Sequence, residues 1–355
     1  KKEKLLDSGP VQGEINIHVL TIAGAVAANL QISRDVTLAS LRNQVRNAVG
    51  VSLTQEVKLV MQTLTLEDEQ AFSRILGGGP DRLDLTMVCS RRSLAVSGRS
   101  NGRVQLWDLS RGECLQQWRN HKGSVCCVDV DWVSQRIISG HADGMMFIWD
   151  VMNSNGNIHK LEGHEKCVSS VIANWSSDQA FSSGVDGSLI LWDLILRRAL
   201  KRIRAHDEPI SCISIDWTSQ RATSGSWDGA ICLWDLEQGE KYSEMLMENH
   251  PVSCTTVDWT TARALCGTKS NLVFLLDLRR STCIHILVGH TQRVSCVAAD
   301  WASDRGMSAG WDGRIRLWSI EDGKQILKLP VHPFPISSMK VDWASEQLIC
   351  GSWDG

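Results

Sequence analysis

The sequence is poor in two of the three aromatics, with one tyrosine and five phenylalanines in 355 residues. It has no basic excess. Lys and Arg number 37 against 40 Asp and Glu, for a net charge of −3, which argues against a dedicated nucleic-acid binder. It has no long apolar run. Each is broken by charge or turn residues within a few positions, so no segment reads as a transmembrane helix. There is no Cys-x-x-Cys, His-x-His or His-Glu-x-x-His pair to suggest zinc. No Gly-x-Ser-x-Gly elbow falls on a strand-to-helix turn. Disorder is also excluded, because hydrophobic residues make up 43% and charged residues only 22%.

What the chain does have is tryptophan, 15 of them, and 12 cysteines. Such a skew among the aromatics points to a repeated unit. A chain this long does not need disulfide staples. Most cysteines fall in alternating apolar runs such as SCISIDW and SCVAADW, so they read as small buried hydrophobes in a reducing compartment. The sequence opens on Lys1, which leaves a preceding targeting segment open. The expected location is cytoplasmic by default, with an organelle allowed.

The tryptophans mark the repeat. Trp132, Trp175, Trp217, Trp259, Trp301 and Trp343 are spaced 43, 42, 42, 42 and 42. Trp107, Trp149, Trp192 and Trp234 form a second series that skips to Leu276 and resumes at Trp318. His121, His164, His206, His250, His290 and His332 form a third. Asn101-Gly102, Asp143-Gly144, Asp186-Gly187, Asp228-Gly229, Ser270-Asn271, Asp312-Gly313 and Asp354-Gly355 form a fourth, of turns. In the fourth repeat, residues 210–216, 221–225, 230–234 and about 241–246 read as strands joined by tight turns. A single small sheet cannot bury both faces, whereas sheets stacked radially can.

GHEKC with SSGVDGSLILWD, and GHTQR with SAGWDGRIRLWS, resemble the WD40 repeat of β-propellers. The resemblance covers about three quarters of the chain and implies a mainly β, seven-bladed propeller over 93–355. Within a repeat, four residue types keep fixed spacing. The sets are His121, Ser139, Asp143, Trp149; His164, Ser182, Asp186, Trp192; His206, Ser224, Asp228, Trp234; and His290, Ser308, Asp312, Trp318. Indole N–H only donates, hydroxyl and imidazole do both, and carboxylate only accepts, so the four can form one chain of hydrogen bonds. A hydrolase triad is built once and this set occurs four times, so no catalytic role is assigned. No metal site and no cofactor is expected from histidines spread one per blade.

Some repeats depart from the pattern. Asn101 replaces Asp in the first, and Cys350 replaces the hydroxyl beside His332 and Asp354 in the seventh. In the fifth, Ser270 and Leu276 replace Asp and Trp, and Pro251 follows His250. That blade is expected to be the least rigid or to be braced otherwise. The indole that follows each first strand is expected to cover the turn there.

The front of the chain is different. Residues 1–14 read as an extension. In 15–88, strands at 15–19 and 28–32 precede Leu38, Leu41, Val45 and Val49 at helical spacing, with Thr37 to cap and Gly50 to stop the helix. A strand at 57–61, a short helix within 67–76 and a strand at 83–88 follow. This order resembles the ubiquitin-like fold in pattern. Gly77-Gly78-Gly79 is not a conjugation tail, because Pro80 and a strand come after it. The strand face around Lys58–Met61 is a docking option, although Leu59 and Met61 read as packing residues.

The WD40 resemblance places the residue before each turn Asp on one rim of the propeller. Here it is Ala142, Val185, Trp227, Trp311 and Trp353, with Lys269 in the fifth repeat. Strand packing does not demand Trp there, since other repeats use Ala and Val. Trp227, Trp311 and Trp353 are therefore candidate partner anchors. Lys122, Lys166, Lys269 and Arg293 give the rim a mildly basic character suited to an acidic or phosphorylated partner. The expected function is a non-catalytic protein-interaction scaffold. A permanent subunit of a large organellar, photosynthetic, ribosomal or cytoskeletal complex is the alternative, and a ubiquitin-pathway adaptor a narrower one. Protein partners are expected, with no membrane insertion, nucleic acid or small-molecule substrate. Residues 84–88 are claimed both by the front domain and, by the 42-residue offset, by the first blade. Assigning them to the front domain predicts that the natural chain continues for about 30–45 residues, completing the seventh blade and supplying the first blade's inner strand.

Overall fold

The alternating pattern of 210–216 occurs six times, and each copy becomes the first strand of an antiparallel sheet. The computed structural model describes residues 14–20, 26–33, 35–51, 55–61, 64–65, 72, 82–91, 94–119, 123–151, 158–330, 333–344 and 346–352. Packing divides the chain into two units. One takes in the described residues up to 95 together with 106–116; the other takes 96–105 and those from 117 on.

In the first unit, β1 (Glu14–Leu20), β2 (Val26–Ser33), β3 (Gln55–Met61), β4 (Leu64–Thr65) and β5 (Arg82–Arg91) form one sheet in the order β2-β1-β5-β3-β4. β1 runs antiparallel to β2 and parallel to β5, and β3 runs antiparallel to β5. Alternate residues Ile17, Val19, Val57, Leu59, Leu85 and Met87 are buried, and α1 (Leu38–Val49) closes over them with Leu38, Leu41 and Val45. Burying each such aliphatic side chain contributes about 1.5–3 kcal/mol. Thr37 caps α1 by accepting the Ser40 N–H at 3.2 Å, and Gly50 ends it at φ 72°. The side chain of Met61 and the short helix expected within 67–76 lie outside the described residues, apart from Phe72, which is buried.

Residues 84–88 belong to the centre of this sheet, where β5 pairs on both sides. The sheet that starts at Leu94–Gly98 continues with Arg103–Asp108 and Glu113–Arg119 and has three strands among the described residues.

In the second unit, five four-stranded sheets follow one another. Their first strands are Val125–Asp131, Val168–Asn174, Ile210–Asp216, Val252–Asp258 and Val294–Asp300. Ile336–Asp342 and Gln347–Ser352 form a shorter two-stranded sheet after them. First strands of consecutive sheets pack against one another from the second repeat to the seventh. The apolar core therefore lies between sheets. Phe181 and Leu189 of the third repeat are buried with Ile210, Ala222, Cys232 and Trp234 of the fourth.

Two turns set the geometry of each repeat. Asp-Gly turns need glycine twice over. Gly187 has φ 74°, and a Cβ on it would lie 2.1 Å from the His206 carbonyl oxygen. In the fifth repeat Asn271 takes this conformation at φ 70°, as the residue best suited after glycine. The turn after each first strand holds Gln135, Asp178, Gln220, Ala262, Asp304 and Glu346 at φ between 49° and 56°. Asp131, Asp216, Asp258 and Asp342, and Asn174 in the third repeat, hold this turn by accepting the N–H two residues on. The Asp-Trp dipeptide is thus half turn chemistry. Its indole half reaches the neighbouring repeat: Arg136 stacks on Trp175 at 4.8 Å, Arg263 on Trp301 at 5.8 Å and Arg305 on Trp343 at 5.8 Å.

Eleven cysteines are described and all are free thiols. Only Cys212, Cys232 and Cys266 are fully buried, while Cys114, Cys126 and Cys283 are exposed, so burial does not account for every cysteine. The exposed ones lie on outer strands or at strand starts, where the apolar alternation points outward. No helix among the described residues is long and apolar enough to cross a membrane.

Candidate functional site

The repeated polar residues meet inside the sheets. In the fourth repeat the Trp234 indole N–H donates to Ser224 Oγ at 2.8 Å. His206 Nε2 lies 2.8 Å from the same oxygen, and His206 Nδ1 lies 2.8 Å from Asp228 Oδ2. The third repeat repeats this with Trp192 to Ser182 at 2.8 Å, His164 to Ser182 at 2.7 Å and His164 to Asp186 at 3.3 Å. The sixth has Trp318 to Ser308 at 2.8 Å, His290 to Ser308 at 2.7 Å and His290 to both Asp312 oxygens at 3.0 Å. One set of donors satisfies every contact. The indole donates to the hydroxyl, the hydroxyl donates to Nε2, and Nδ1–H donates to the carboxylate.

The charge states follow from burial and from these bonds. Burial pushes the His164 imidazole below its ordinary value, against the opposing pull of Asp186, and keeps it neutral. Burial raises Asp186, but the Ser188 hydroxyl and the backbone N–H groups of Glu165 and Ser188 outweigh it and hold the carboxyl below its ordinary value. Asp312 is held down in the same way, chiefly by the His290 hydrogen bond set against burial. Such relays are rigid and satisfied. They offer no exposed nucleophile, and among the described residues no cluster of His, Cys, Asp and Glu could hold a metal ion.

The rim is built one residue earlier. The backbone N–H groups of Ala142, Val185, Trp227, Lys269 and Trp311 donate to the carbonyls of Ser124, Cys167, Pro209, Pro251 and Arg293, at 2.8–3.0 Å. The five residues are therefore structurally equivalent. Trp227 is 39% exposed. The Lys269 ammonium lies 2.8 Å from the centre of the Trp227 ring, and the Arg293 guanidinium lies 5.4 Å from that of Trp311. Indoles and cations thus alternate along the rim from the fourth repeat to the sixth. Burial and then the charge of Arg293 lower the Lys269 ammonium, with Glu208 opposing. Lys166 is exposed. Lys122, Trp353, His121, His332 and Asp354 lie outside the described residues.

A family model described as WD domain, G-beta repeat matches residues 112–150, 155–193, 197–235 and 281–319. These four segments are WD40 repeats. The chain is similar to WD repeat-containing protein 91 of Xenopus tropicalis, at 26% identity over 137 residues, covering 39% of this chain and 17% of that protein. It is also similar to eukaryotic translation initiation factor 3 subunit I of Anopheles gambiae, at 40% identity over 58 residues, covering 16% of this chain and 18% of that one. The chain spans less than a fifth of the length of either relative it matches.

Two repeats solve the same problem with residues that the spacing did not single out. In the second, Ser139 accepts from the Trp149 indole at 2.8 Å, and its partner is His141 Nε2 at 3.0 Å. His141 Nδ1 donates to the Gly123 carbonyl at 3.2 Å, which fixes its tautomer. Ser139 thus has an imidazole partner other than the expected His121, and Asp143 bonds its own turn at the Met145 N–H. The equivalents of His141 in the third and sixth repeats are glycines. A Cβ on Gly184 would lie 2.5 Å from His164 Nδ1, and one on Gly310 would lie 2.9 Å from His290 Nδ1. His141 fills from inside the strand the space that a loop histidine fills elsewhere. The legible signal was a histidine at that glycine position.

In the fifth repeat, His250 Nδ1 donates to Ser270 Oγ at 2.6 Å, Ser270 lies 3.1 Å from Thr268 Oγ1, and Thr268 donates to the Leu272 carbonyl at 3.0 Å. The relay ends on a backbone oxygen instead of a carboxylate. Leu276 and Cys266 are fully buried where indole and serine stand elsewhere. A cleft of about 320 Å³ lies there, lined by Met245, Met247, His250, Phe274 and Leu276 among others. This repeat is braced by a second network and forms a complete four-stranded sheet.

Proposed function

We propose that this WD40 protein is a non-catalytic interaction scaffold whose partner docks on the rim bearing Trp227, Lys269, Arg293 and Trp311. The observation that carries the reading is the alternation of indole and cation at rim positions where Ala142 and Val185 suffice for the fold. Tryptophan and arginine are the residue types that dominate binding energy at interfaces. The cations suit an acidic or phosphorylated segment. We further read 15–88 as a ubiquitin-like domain and 93–355 as the propeller. The sheet order β2-β1-β5-β3-β4, with parallel central strands and one helix over a single face, supports the first of these. A permanent place in a multiprotein complex is the second reading. It is favoured by the similarity to a protein whose name describes a subunit of an initiation factor.

The test compares the intact chain with the Trp227→Ala, Trp311→Ala double variant. Partners captured from the native source are quantified by mass spectrometry, and both chains are melted. Loss of at least ten-fold in captured partner with a melting temperature within a few degrees supports the rim. Unchanged capture with a collapsed melting temperature returns both indoles to a packing role.

A further inference from the structure

The second and third blades meet at two thiols. Cys126 Sγ and Cys167 Sγ are 3.2 Å apart, hydrogen-bonded, with Cys126 exposed and Cys167 half-buried. Neither is part of a relay or of the rim's indole–cation stripe. We propose that Cys126 and Cys167 are a redox site, a dithiol that a hydroperoxide converts into a disulfide tying the second blade to the third.

The repeat itself shows why this position is a tie between blades. Cys126 is equivalent to Ser169, Ser211, Ser253, Ser295 and Ser337. Ser211 Oγ lies 2.7 Å from the Val252 carbonyl of the next repeat, and Ser295 Oγ lies 2.6 Å from that of Ile336. Each also lies close to a carbonyl of its own sheet, Gly225 at 3.0 Å and Ala309 at 3.1 Å. In these two repeats the hydroxyl is a hydrogen-bonded clasp at the seam. Only the second repeat replaces it with a thiol. The residue it faces is Cys167, whose equivalents are Pro209, Pro251 and Arg293. Two changes that are separate in sequence thus fall on one seam and face each other.

Ionisation separates Cys167 from the buried thiols. Burial pushes Cys127 and Cys212 up to about 12, and it holds Cys254 and Cys266 well above their ordinary value. The hydrogen bond between the two thiols lowers Cys167, against burial and the charge of Asp143, and the same bond raises Cys126. Cys167 is therefore the thiol that ionises first and acts as nucleophile. Its thiolate attacks the terminal oxygen of the hydroperoxide. The O–O bond breaks, Cys167 becomes a sulfenic acid, and the alkoxide or hydroxide released takes a proton from water. Cys126 then attacks Cys167 Sγ. The S–S bond forms, the S–O bond breaks, and water leaves with the Cys126 proton. Two thiols and one hydroperoxide give one disulfide, one alcohol or water, and one further water. The sulfurs close by about 1.2 Å to reach bonding distance.

The test uses the full chain, reduced and then treated with one equivalent of hydrogen peroxide without denaturant. Remaining thiols are alkylated, and the digest is read by mass spectrometry. The expected product is a linked pair of peptides carrying Cys126 and Cys167, lighter by two hydrogens and separated by dithiothreitol. The exposed Cys114 and Cys283 should react at least ten-fold more slowly. Cys126→Ser keeps the residue that five other repeats use, so its fold is preserved. It should accumulate a sulfenic acid on Cys167 that dimedone traps. Recovery of Cys126 and Cys167 as alkylated thiols while Cys114 or Cys283 is oxidised would overturn the proposal. So would a Cys167 link to Cys127 in the unmodified chain, or no dimedone adduct on Cys167 in Cys126→Ser.

Discussion

The fourth and fifth repeats form the same four-stranded sheet with different polar parts. In the fourth, Trp234, Ser224, His206 and Asp228 pass hydrogen bonds from a buried indole to a carboxylate. In the fifth, Leu276 has no N–H to satisfy, so a thiol, Cys266, can stand where Ser224 stands. The histidine is retained and turns to Ser270 and Thr268. The relay is therefore a consequence of the indole and not a requirement of the sheet. What the relay provides is an acceptor for the buried Trp234 N–H, because an orphaned donor costs about 1–3 kcal/mol.

The strongest way to break this comparison is Ser224→Ala. It orphans the Trp234 N–H and the His206 Nε2 together, so the expected loss is about 2–5 kcal/mol in urea denaturation. Cys266→Ala at the same position in the fifth repeat should cost about 1 kcal/mol, the transfer value of one small buried group. Equal losses would show that the hydroxyl has no special role. Next in size is a graft. Trp234→Leu alone should cost about 2–4 kcal/mol through the cavity it leaves. Adding Ser224→Cys and Asp228→Ser should recover about 1 kcal/mol relative to the sum of the separate losses, since the three residues share one network. Strict additivity would mean that the indole and its relay are independent.

Smaller still is the contrast between carboxylates. The Asp312 side chain is 3% exposed and that of Asp228 is 29% exposed. Asp312→Ala should therefore cost about 2–3 kcal/mol and Asp228→Ala about 1 kcal/mol, because water replaces part of the lost acceptor at the more open site. The two are compared by chemical denaturation at one pH. The smallest effect is that of pH on the third repeat. Folded His164 is held below its ordinary value of 6.5, so on acidification the unfolded chain takes up the proton first. Its contribution is present above about pH 6.5 and is lost as pH falls from there toward the folded value. A second loss follows below about pH 4, as Asp186 and Asp312 are protonated through their depressed values. His164→Asn should remove the first loss and leave the second. A stability profile that stays sloped between pH 7.5 and 5.5 in that variant would assign the slope to another group.

The relays of the third, fourth and sixth repeats were legible because periodicity put four residue types at constant separation, and the donor inventory then allowed one order of bonds. His141 was less legible. It breaks no spacing, and the space beside its equivalents Gly184 and Gly310 is occupied by His164 and His290 only in the folded repeat. Thr268 was missed for a related reason. It acts only because Ser270 turns toward it, and a strand threonine carries no mark of that. The front unit was readable at Thr37, Leu41, Val45 and Gly50, where helix signals are local.

By itself, the sequence determined the repeat length, the turns and the residues that must be buried. These depend on φ preferences and on period-two alternation, which act within a few residues. It also determined that β5 could serve only one sheet centrally, since 84–88 cannot pair fully in two places. Only the tertiary structure decided that Lys269 covers Trp227, that Arg136 covers Trp175 and that Cys126 faces Cys167. Each of these pairs joins residues about 40 positions apart, on consecutive repeats. The offset between neighbouring sheets, which no local preference encodes, brings them within reach.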